Sequence, residues 1–187
     1  MTNSTRTVDA VVVGFGPIRQ VGYVVADLTA SVRQWQRSLG ILRWFCFRNV
    51  ALAAQYRGRA TTVKMDVALG YHDELEIELI QPTSFVDSPY IDAAGRPEVG
   101  PNHLAWFSQD LDADVARARE RGLETIFLAH NAVTRVAYLE PPGERGVRYE
   151  LIEYSADGLE SWRERVRAAR EWAGSPSVIE VDLADLP

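Results

Sequence analysis

The alternation of apolar and polar residues predicts the same unit of secondary structure twice along the chain. In the first half, residues 18–25 read as a strand, and apolar residues then recur at helical spacing between Asp27, a favoured N-cap, and Gly40. Three strand-like runs follow this helix, at 42–48, 60–69 and 74–81. This order predicts a β-α-β-β-β module over residues 17–82.

The second half repeats the order after a connecting loop, residues 83–101, which is rich in Pro, Gly, Asp and Ser. A strand that begins at His103 leads to a helix between Asp110 and Gly122, and strand-like runs follow at 125–130, 135–140 and 147–154. The segments QVGYVVADLTASV and HLAWFSQDLDADV align without a gap, with Asp, Leu, Ala and Val coinciding. We therefore predict a second β-α-β-β-β module over residues 102–155.

The two ends of the chain lie outside the repeat, as an N-terminal extension, 1–16, and a C-terminal segment, 156–187. In the latter, Asp157 is placed to cap a helix that runs to about Ala173 with one apolar stripe. The stripe predicts a helix packed on the domain rather than one reserved for a partner. Residues 178–183 predict either an added strand or a dimer contact. The predicted fold class is α+β.

Composition mainly excludes functions. The chain has 187 residues, 47% hydrophobic and 25% charged, which is enough apolar material for a packed core. The net charge of -6 at pH 7, with acidic residues spread along the chain, argues against a nucleic-acid partner. Cys46 is the only cysteine, and no apolar run approaches the roughly 20 residues of a membrane helix. We expect a cytoplasmic protein with no membrane partner.

Polar side chains occupy matching positions in the two modules. Gln20 opens the first strand of the first module at the position that His103 holds in the second, and imidazole is a common metal ligand. The closing strands carry Glu78 and Glu150, each within a repeated Glu-Leu-Ile segment. Two modules related by a pseudo-twofold axis bring matched positions together. We therefore expect four side chains to converge on one site: Gln20, Glu78, His103 and Glu150.

The closing strand of the first module, ELEIELI, separates an apolar face from an acidic one. Leu75, Ile77 and Leu79 share one face, and the other face carries Glu74, Glu76, Glu78 and Ile80. The aliphatic side is expected to pack on helices and the carboxylate side to line a cleft. Two carboxylates, an imidazole and an amide oxygen suit Zn, Ni, Co, Mn or Mg, and not a metal selected by thiolates. One divalent metal ion is the predicted cofactor.

This arrangement resembles the vicinal oxygen chelate superfamily, which includes glyoxalases, epimerases and extradiol dioxygenases. The resemblance covers residues 17–155 and rests on paired modules with a ligand position on the first and last strand of each. It implies a cupped mixed sheet around a divalent metal that holds substrate oxygens. We expect a small-molecule substrate and a homodimer, with modules paired either within one chain or across subunits.

The residues at the four ligand positions narrow the chemistry that the resemblance implies. Glyoxalase I enzymes carry His or Gln, then Glu, His and Glu, which this chain matches at every position. Family dioxygenases use two histidines and one carboxylate. Methylmalonyl-CoA epimerases carry His, Gln, His and Glu, with a further catalytic Glu where this chain has Ala-Thr-Thr-Val at 60–63. The Arg and Asn with which glyoxalase I binds glutathione correspond here to Val24 and Pro82, so no glutathione substrate is expected.

The sequence therefore predicts a metal-dependent isomerase, epimerase or lyase that moves a proton on a small oxygenated substrate. Glu150 is the expected base, and Glu78 is its counterpart on the opposite face. The predicted substrate-binding residues are Phe107, Trp44 and His130. Two alternatives stay open: a binding protein of the kind that sequesters antibiotics without a metal, and a ring-cleaving dioxygenase.

Overall fold

The computed structural model describes residues 14–143, 146 and 148–183, which form strands and helices in the α+β order that the sequence predicts. In chain order the elements are β1 (Gln20–Val24), α1 (Leu28–Leu39), β2 (Trp44–Tyr56), β3 (Arg59–His72), β4 (Leu75–Pro82), β5 (Gly100–Phe107), α2 (Leu111–Glu120), β6 (Glu124–His130), β7 (Thr134–Glu140), β8 (Arg148–Tyr154), α3 (Ala156–Arg170) and β9 (Val178–Asp182). Most of the predicted N-terminal extension, residues 1–13, lies outside the described residues.

Helix α1 begins and ends at the predicted residues, and α2 begins at the predicted N-cap but ends at Glu120, with Arg121 rather than Gly122 as its C-cap. The Asp27 carboxylate accepts a hydrogen bond from the Ala30 amide at 2.9 Å, and α1 ends at Gly40, whose φ of 69° is left-handed. Asp110 caps α2 in the same way. Each helix buries one apolar face against the outside of the sheet, in two separate core clusters. No helix in the described part of the chain has the length and apolar character needed to cross a membrane.

The strands form one sheet in the order β3-β4-β1-β5-β8-β7-β6-β2-β9. β2 pairs with β3 as well, so the first eight strands of this order close into a barrel. β1 and β5 pair antiparallel within the chain and join the two halves. The largest apolar cluster fills the interior of this barrel, on the face of the sheet opposite α1 and α2. The predicted cupped mixed sheet is thus confirmed, and it is closed.

Strand β2 closes the barrel because it is much longer than the predicted run 42–48. Its first five residues pair with β9, its last four pair with β6, and β3 follows it along the other side. The prediction was wrong beyond residue 48 because a bulge interrupts the ladder between Phe47 and Val50. There Asn49 adopts a φ of 58°, and the alanine-rich residues that follow have weak strand propensity.

The internal repeat is visible in the register of the central strand pair. Gln20 lies opposite Ala105, and Gly22 lies opposite His103. Exchanging the two halves about the axis between β1 and β5 maps Gln20 onto His103, which is the equivalence that the aligned segments predict. On the outer sides, β4 runs parallel to β1 and β8 runs parallel to β5.

Helix α3 packs on the domain, and two of its residues, Trp162 and Val166, belong to the interior cluster. Its N-cap is Ser155, which accepts from the Gly158 amide at 3.1 Å, and not the predicted Asp157, which lies in the first turn. Strand β8 ends at Tyr154 and α3 begins at Ala156, so Ser155 is the residue that immediately precedes the helix and can cap it. Residues Val178–Asp182 add to the sheet as β9, parallel to β2.

Candidate metal centre and cavity

The four predicted ligands lie on four different strands and meet around one nitrogen. His103 Nε2 is 2.9 Å from Gln20 Oε1, 3.1 Å from Glu150 Oε2 and 3.3 Å from Glu78 Oε2. One ligand atom each from Glu78, His103 and Glu150 lie within 4.8 Å of one another. The His103 ring is fully buried, while Glu78 keeps 18% of its side chain exposed. We refer to these four residues as the ligand cluster.

Gly22 makes room for the imidazole in the middle of the cluster. A Cβ at this position would lie 1.9 Å from His103 Cε1 and 2.2 Å from Nε2, so no other residue fits beneath the ring. The glycine therefore stands within the apolar strand β1 because of close packing and not because of a turn.

The Gln20 side chain is held by a buried carboxylate behind it. Its amide nitrogen donates to Glu76 Oε1 at 2.6 Å, and Glu76 also accepts from the Tyr71 hydroxyl. Because Glu76 accepts from both Gln20 and Tyr71, the nitrogen of Gln20 faces Glu76 and its oxygen faces His103. Burial raises the pKa of Glu76, against the opposing effects of Arg165, Tyr71 and Gln20. The sequence placed Glu76 on the face of Glu78 but did not indicate this role.

A second set of contacts fixes the tautomer of His103. Nδ1 lies 3.2 Å from Asn102 Oδ1 and 3.1 Å from the Tyr138 hydroxyl. The Asn102 amide nitrogen donates to the Pro89 carbonyl at 2.8 Å, which turns Oδ1 toward the ring. Nδ1 therefore carries the proton that Asn102 accepts, and Nε2 is the nitrogen left to bind a metal ion. Without an ion, Nε2 faces only acceptor oxygens of the ligand cluster, which favours a proton on this nitrogen as well. Asn102 and Tyr138 carry no sequence signal beyond the position of Asn102 next to His103.

The electrostatics of the ligand cluster favour a cation. Burial first, and then the Glu78 carboxylate, raise the pKa of Glu150 to about 8, against the opposing effect of His103. Burial lowers the pKa of His103, but Glu150 and Glu78 outweigh it and the net shift is upward. Within the described part of the chain, no hydrogen bond of good geometry reaches the buried Glu150 Oε2, although His103 Nε2 lies 3.1 Å away. Two carboxylates and an amide oxygen gathered around one imidazole nitrogen fit a divalent ion.

The ligand cluster opens into a cavity of about 360 Å³ inside the barrel. Apolar side chains form much of the cavity wall, among them Phe47, Val67, Leu69, Val136 and Ile152. The polar residues of the wall include Tyr90, Tyr138 and Glu76, and one arginine, Arg165, reaches it from α3. Sequence reasoning did not identify Arg165, which has no counterpart in the repeat.

Of the three predicted substrate-binding residues, only His130 lines the cavity. Trp44 is completely buried on the other face of the sheet, beneath α1, where its indole nitrogen donates to the Ile41 carbonyl at 2.7 Å. Strand alternation turns Phe47 inward and Trp44 outward. Phe107 packs edge-on against Tyr154 and Trp162, with ring centroids 5.1 Å apart in both pairs, and does not line the cavity. The prediction for Trp44 was therefore wrong, and Phe107 lies outside this cavity.

Comparison with known proteins adds a family and a fold. Residues 19–138 match the model of the glyoxalase/bleomycin resistance protein/dioxygenase superfamily, a span that includes three of the four ligand-cluster residues and ends before Glu150. No curated protein matches the chain.

Several solved structures share the fold at low sequence identity. A hypothetical protein from Bacillus halodurans is 22% identical, with a TM-score of 0.52 over 74% of this chain and 94% of its own. Methylmalonyl-CoA epimerase from Mycobacterium tuberculosis is 22% identical, with a TM-score of 0.50 over 77% of this chain and 91% of its own. A Streptomyces coelicolor methylmalonyl-CoA epimerase variant in complex with 2-nitronate-propionyl-CoA is also 22% identical, with a TM-score of 0.50 over 75% of this chain and 95% of its own.

Proposed function

The chain belongs to the glyoxalase/bleomycin resistance protein/dioxygenase superfamily, and on that premise we propose that it is a metal-dependent enzyme that moves a proton on a small oxygenated substrate. The observation that carries the proposal is the pair of carboxylates, Glu78 and Glu150, on either side of His103 Nε2 at the wall of one cavity. Two carboxylates that face a common substrate position are suited to removing and returning a proton.

The metal ligands in this proposal are Gln20 Oε1, His103 Nε2 and one oxygen each of Glu78 and Glu150. Their hardness favours Zn, Ni, Co, Mn or Mg. When bound, such an ion supplies a Lewis acid that stabilises negative charge on a substrate oxygen. Glu76 and Asn102 contribute by orienting Gln20 and His103 toward the ion.

Glu150 is the proposed base because it is the more buried carboxylate and its pKa is raised to about 8. It takes a proton from the carbon beside a substrate carbonyl. The C–H bond breaks, its electron pair moves into the carbonyl group, and the proton stays on the Glu150 carboxylate. Return of the proton to another atom gives isomerisation, and delivery of a proton from the acid form of Glu78 to the opposite face gives epimerisation. Loss of a leaving group from the next carbon gives a lyase reaction.

The cavity favours a small substrate. Its volume of about 360 Å³ lies at the lower end of the roughly 300–1,000 Å³ of ligand sites. Val24 and Pro82, which stand where glyoxalase I contacts glutathione, are both buried. The proposed substrate is therefore a compact carbonyl compound.

A second candidate is a binding protein of the same superfamily, favoured by the largely apolar wall of the cavity. Metal content separates the two functions. After supplementation with Zn²⁺, Ni²⁺, Co²⁺ or Mn²⁺, the enzyme is expected to hold one ion per chain, and a clearly smaller content in every case would favour the binding protein.

Exchange of carbon-bound hydrogen with deuterated water tests the proton transfer that all these reactions share. We expect the metal-loaded protein to accelerate exchange in at least one of 2-oxobutanoate, 2-oxoglutarate and 3-hydroxy-2-butanone, followed by NMR. Glu150→Gln should keep its metal and lose the exchange. The matched control is Glu74→Gln, a half-exposed glutamate in the turn just before the strand that carries Glu78. Full exchange in Glu150→Gln would show that Glu150 is not the base.

A further inference from the structure

The cavity contains one arginine that none of the proposed chemistry uses. Arg165 is the only Arg or Lys among the described residues of the cavity wall, and its side chain is 16% exposed. It comes from α3, beyond the segment 19–138 that matches the superfamily model. The barrel thus supplies the ligand cluster, and the C-terminal helix supplies a separate cation.

Tyr71 holds the guanidinium in place through one of its three nitrogens. Arg165 Nε donates to the Tyr71 hydroxyl at 2.8 Å, and that hydroxyl donates in turn to Glu76. The nearest approach to Glu76 is 3.9 Å from Nη2, which is beyond hydrogen-bond distance. In the described part of the chain, neither Nη atom donates a hydrogen bond to a protein acceptor, although an arginine offers four N–H groups there.

Arg165 balances part of the charge of Glu76, but it makes no hydrogen bond to that carboxylate. Both oxygens of Glu76 already accept, one from Gln20 and the other from Tyr71. The carboxylate is therefore satisfied without the arginine, and the two Nη groups keep their hydrogen-bonding capacity for a molecule in the cavity.

We propose that Arg165 binds a carboxylate of the substrate, so that the substrate is a small organic acid with its oxygenated reacting end at the ligand cluster and its carboxylate at α3. A carboxylate fits because its two oxygens match the planar fork of the guanidinium. A phosphate dianion is disfavoured because one arginine would face it beside Glu76, Glu78 and Glu150. The apolar wall accommodates the carbon chain between the two ends.

This inference rests on the proposed function, because the metal centre holds the other end of the substrate. Two related probes test it: 2-oxoglutarate and its 5-(N,N-dimethylamide), which has no N–H group with which to close onto the ketone. Both carry the same 2-oxo acid for the metal, and the far end is charged only in the acid. Binding to the Zn²⁺-loaded protein is measured by isothermal titration calorimetry, with metal content determined for every sample.

We expect the wild-type protein to bind 2-oxoglutarate about tenfold or more tightly than this amide. Arg165→Met should remove that preference by weakening only the acid, and Arg165→Lys should keep part of it, because an ammonium is a point charge without the fork. Arg163→Met is the matched control, on the same helix but outside the cavity wall.

Equal affinity for acid and amide in the wild-type protein, or no binding of either, would overturn the inference even if Arg165→Met did not fold. So would a preference that Arg165→Met leaves intact. Loss of stoichiometric zinc in the wild-type protein would instead count against the proposed metal centre, and the two failures are therefore distinguishable.

Discussion

Replacing Glu76 with glutamine tests how the Gln20 amide is oriented. In the wild-type protein Glu76 can only accept from Gln20, at 2.6 Å, so the Gln20 oxygen faces His103. A glutamine at 76 can also donate, which permits the Gln20 amide to turn and present N–H groups toward the metal. Loss of such an outer contact costs metal affinity about 10- to 100-fold. We therefore expect a rise of that size in the Kd for Zn²⁺, measured by competition with a chromophoric chelator.

A double-mutant cycle separates orientation from general damage at this position. If Glu76 acts through Gln20, then Glu76→Gln should have little further effect on the Kd in a Gln20→Ala background. Glu74→Gln is the control, because Glu74 lies in the turn just before β4 and is half exposed. A well-folded Glu76→Gln protein whose Kd stays within about twofold of wild type would refute the orienting role, since it falls below the expected range.

Three shorter predictions concern the cluster and the core. The pKa of Glu150 is about 8 in the fold and lower in the unfolded chain, so the metal-free protein holds an extra proton when folded, and its Tm should fall from pH 6 to pH 8.5. Zn²⁺ affinity, measured by competition with the chromophoric chelator, should rise over the same range, because the metal binds the deprotonated carboxylate. An upward trend in metal-free Tm would contradict this. Gly22→Ala should abolish stoichiometric zinc binding, because its Cβ would overlap the His103 ring; retained binding would show that the ring can move. Trp44→Ala should cost about 3–5 kcal/mol in chemical denaturation, and binding of 2-oxoglutarate by the variant that remains folded should be unchanged, because Trp44 lies in the core outside the cavity.

The sequence predicted the parts of this fold that depend on local signals. Asp27, Gly40 and Asp110 act through backbone groups a few residues away, so the helix ends could be read directly. The internal repeat made the ligand cluster predictable. Gln20 and His103 correspond without a gap, and a twofold relation between the two halves follows from that correspondence.

Other features depend on contacts between residues distant in sequence. Closure of the barrel requires β2 to continue through a bulge at Asn49, which no local pattern indicates. Glu76 could be placed on a face but not paired with Gln20, and Arg165 enters the cavity only because α3 packs there. Trp44 was assigned to a pocket by residue type, although its neighbour positions in the strand decide which side of the sheet it faces.

The pairing of β1 with β5 has a consequence for how the protein folds. Gln20 and His103 are 83 residues apart, and each half of the chain contributes two of the four proposed ligands. Neither half alone can gather the set, so the nucleation of this centre requires contacts of high sequence separation, which form slowly. A metal ion that binds the native set stabilises only chains in which the halves have met. In a refolding experiment, metal uptake would therefore report the completion of the barrel rather than the formation of its strands.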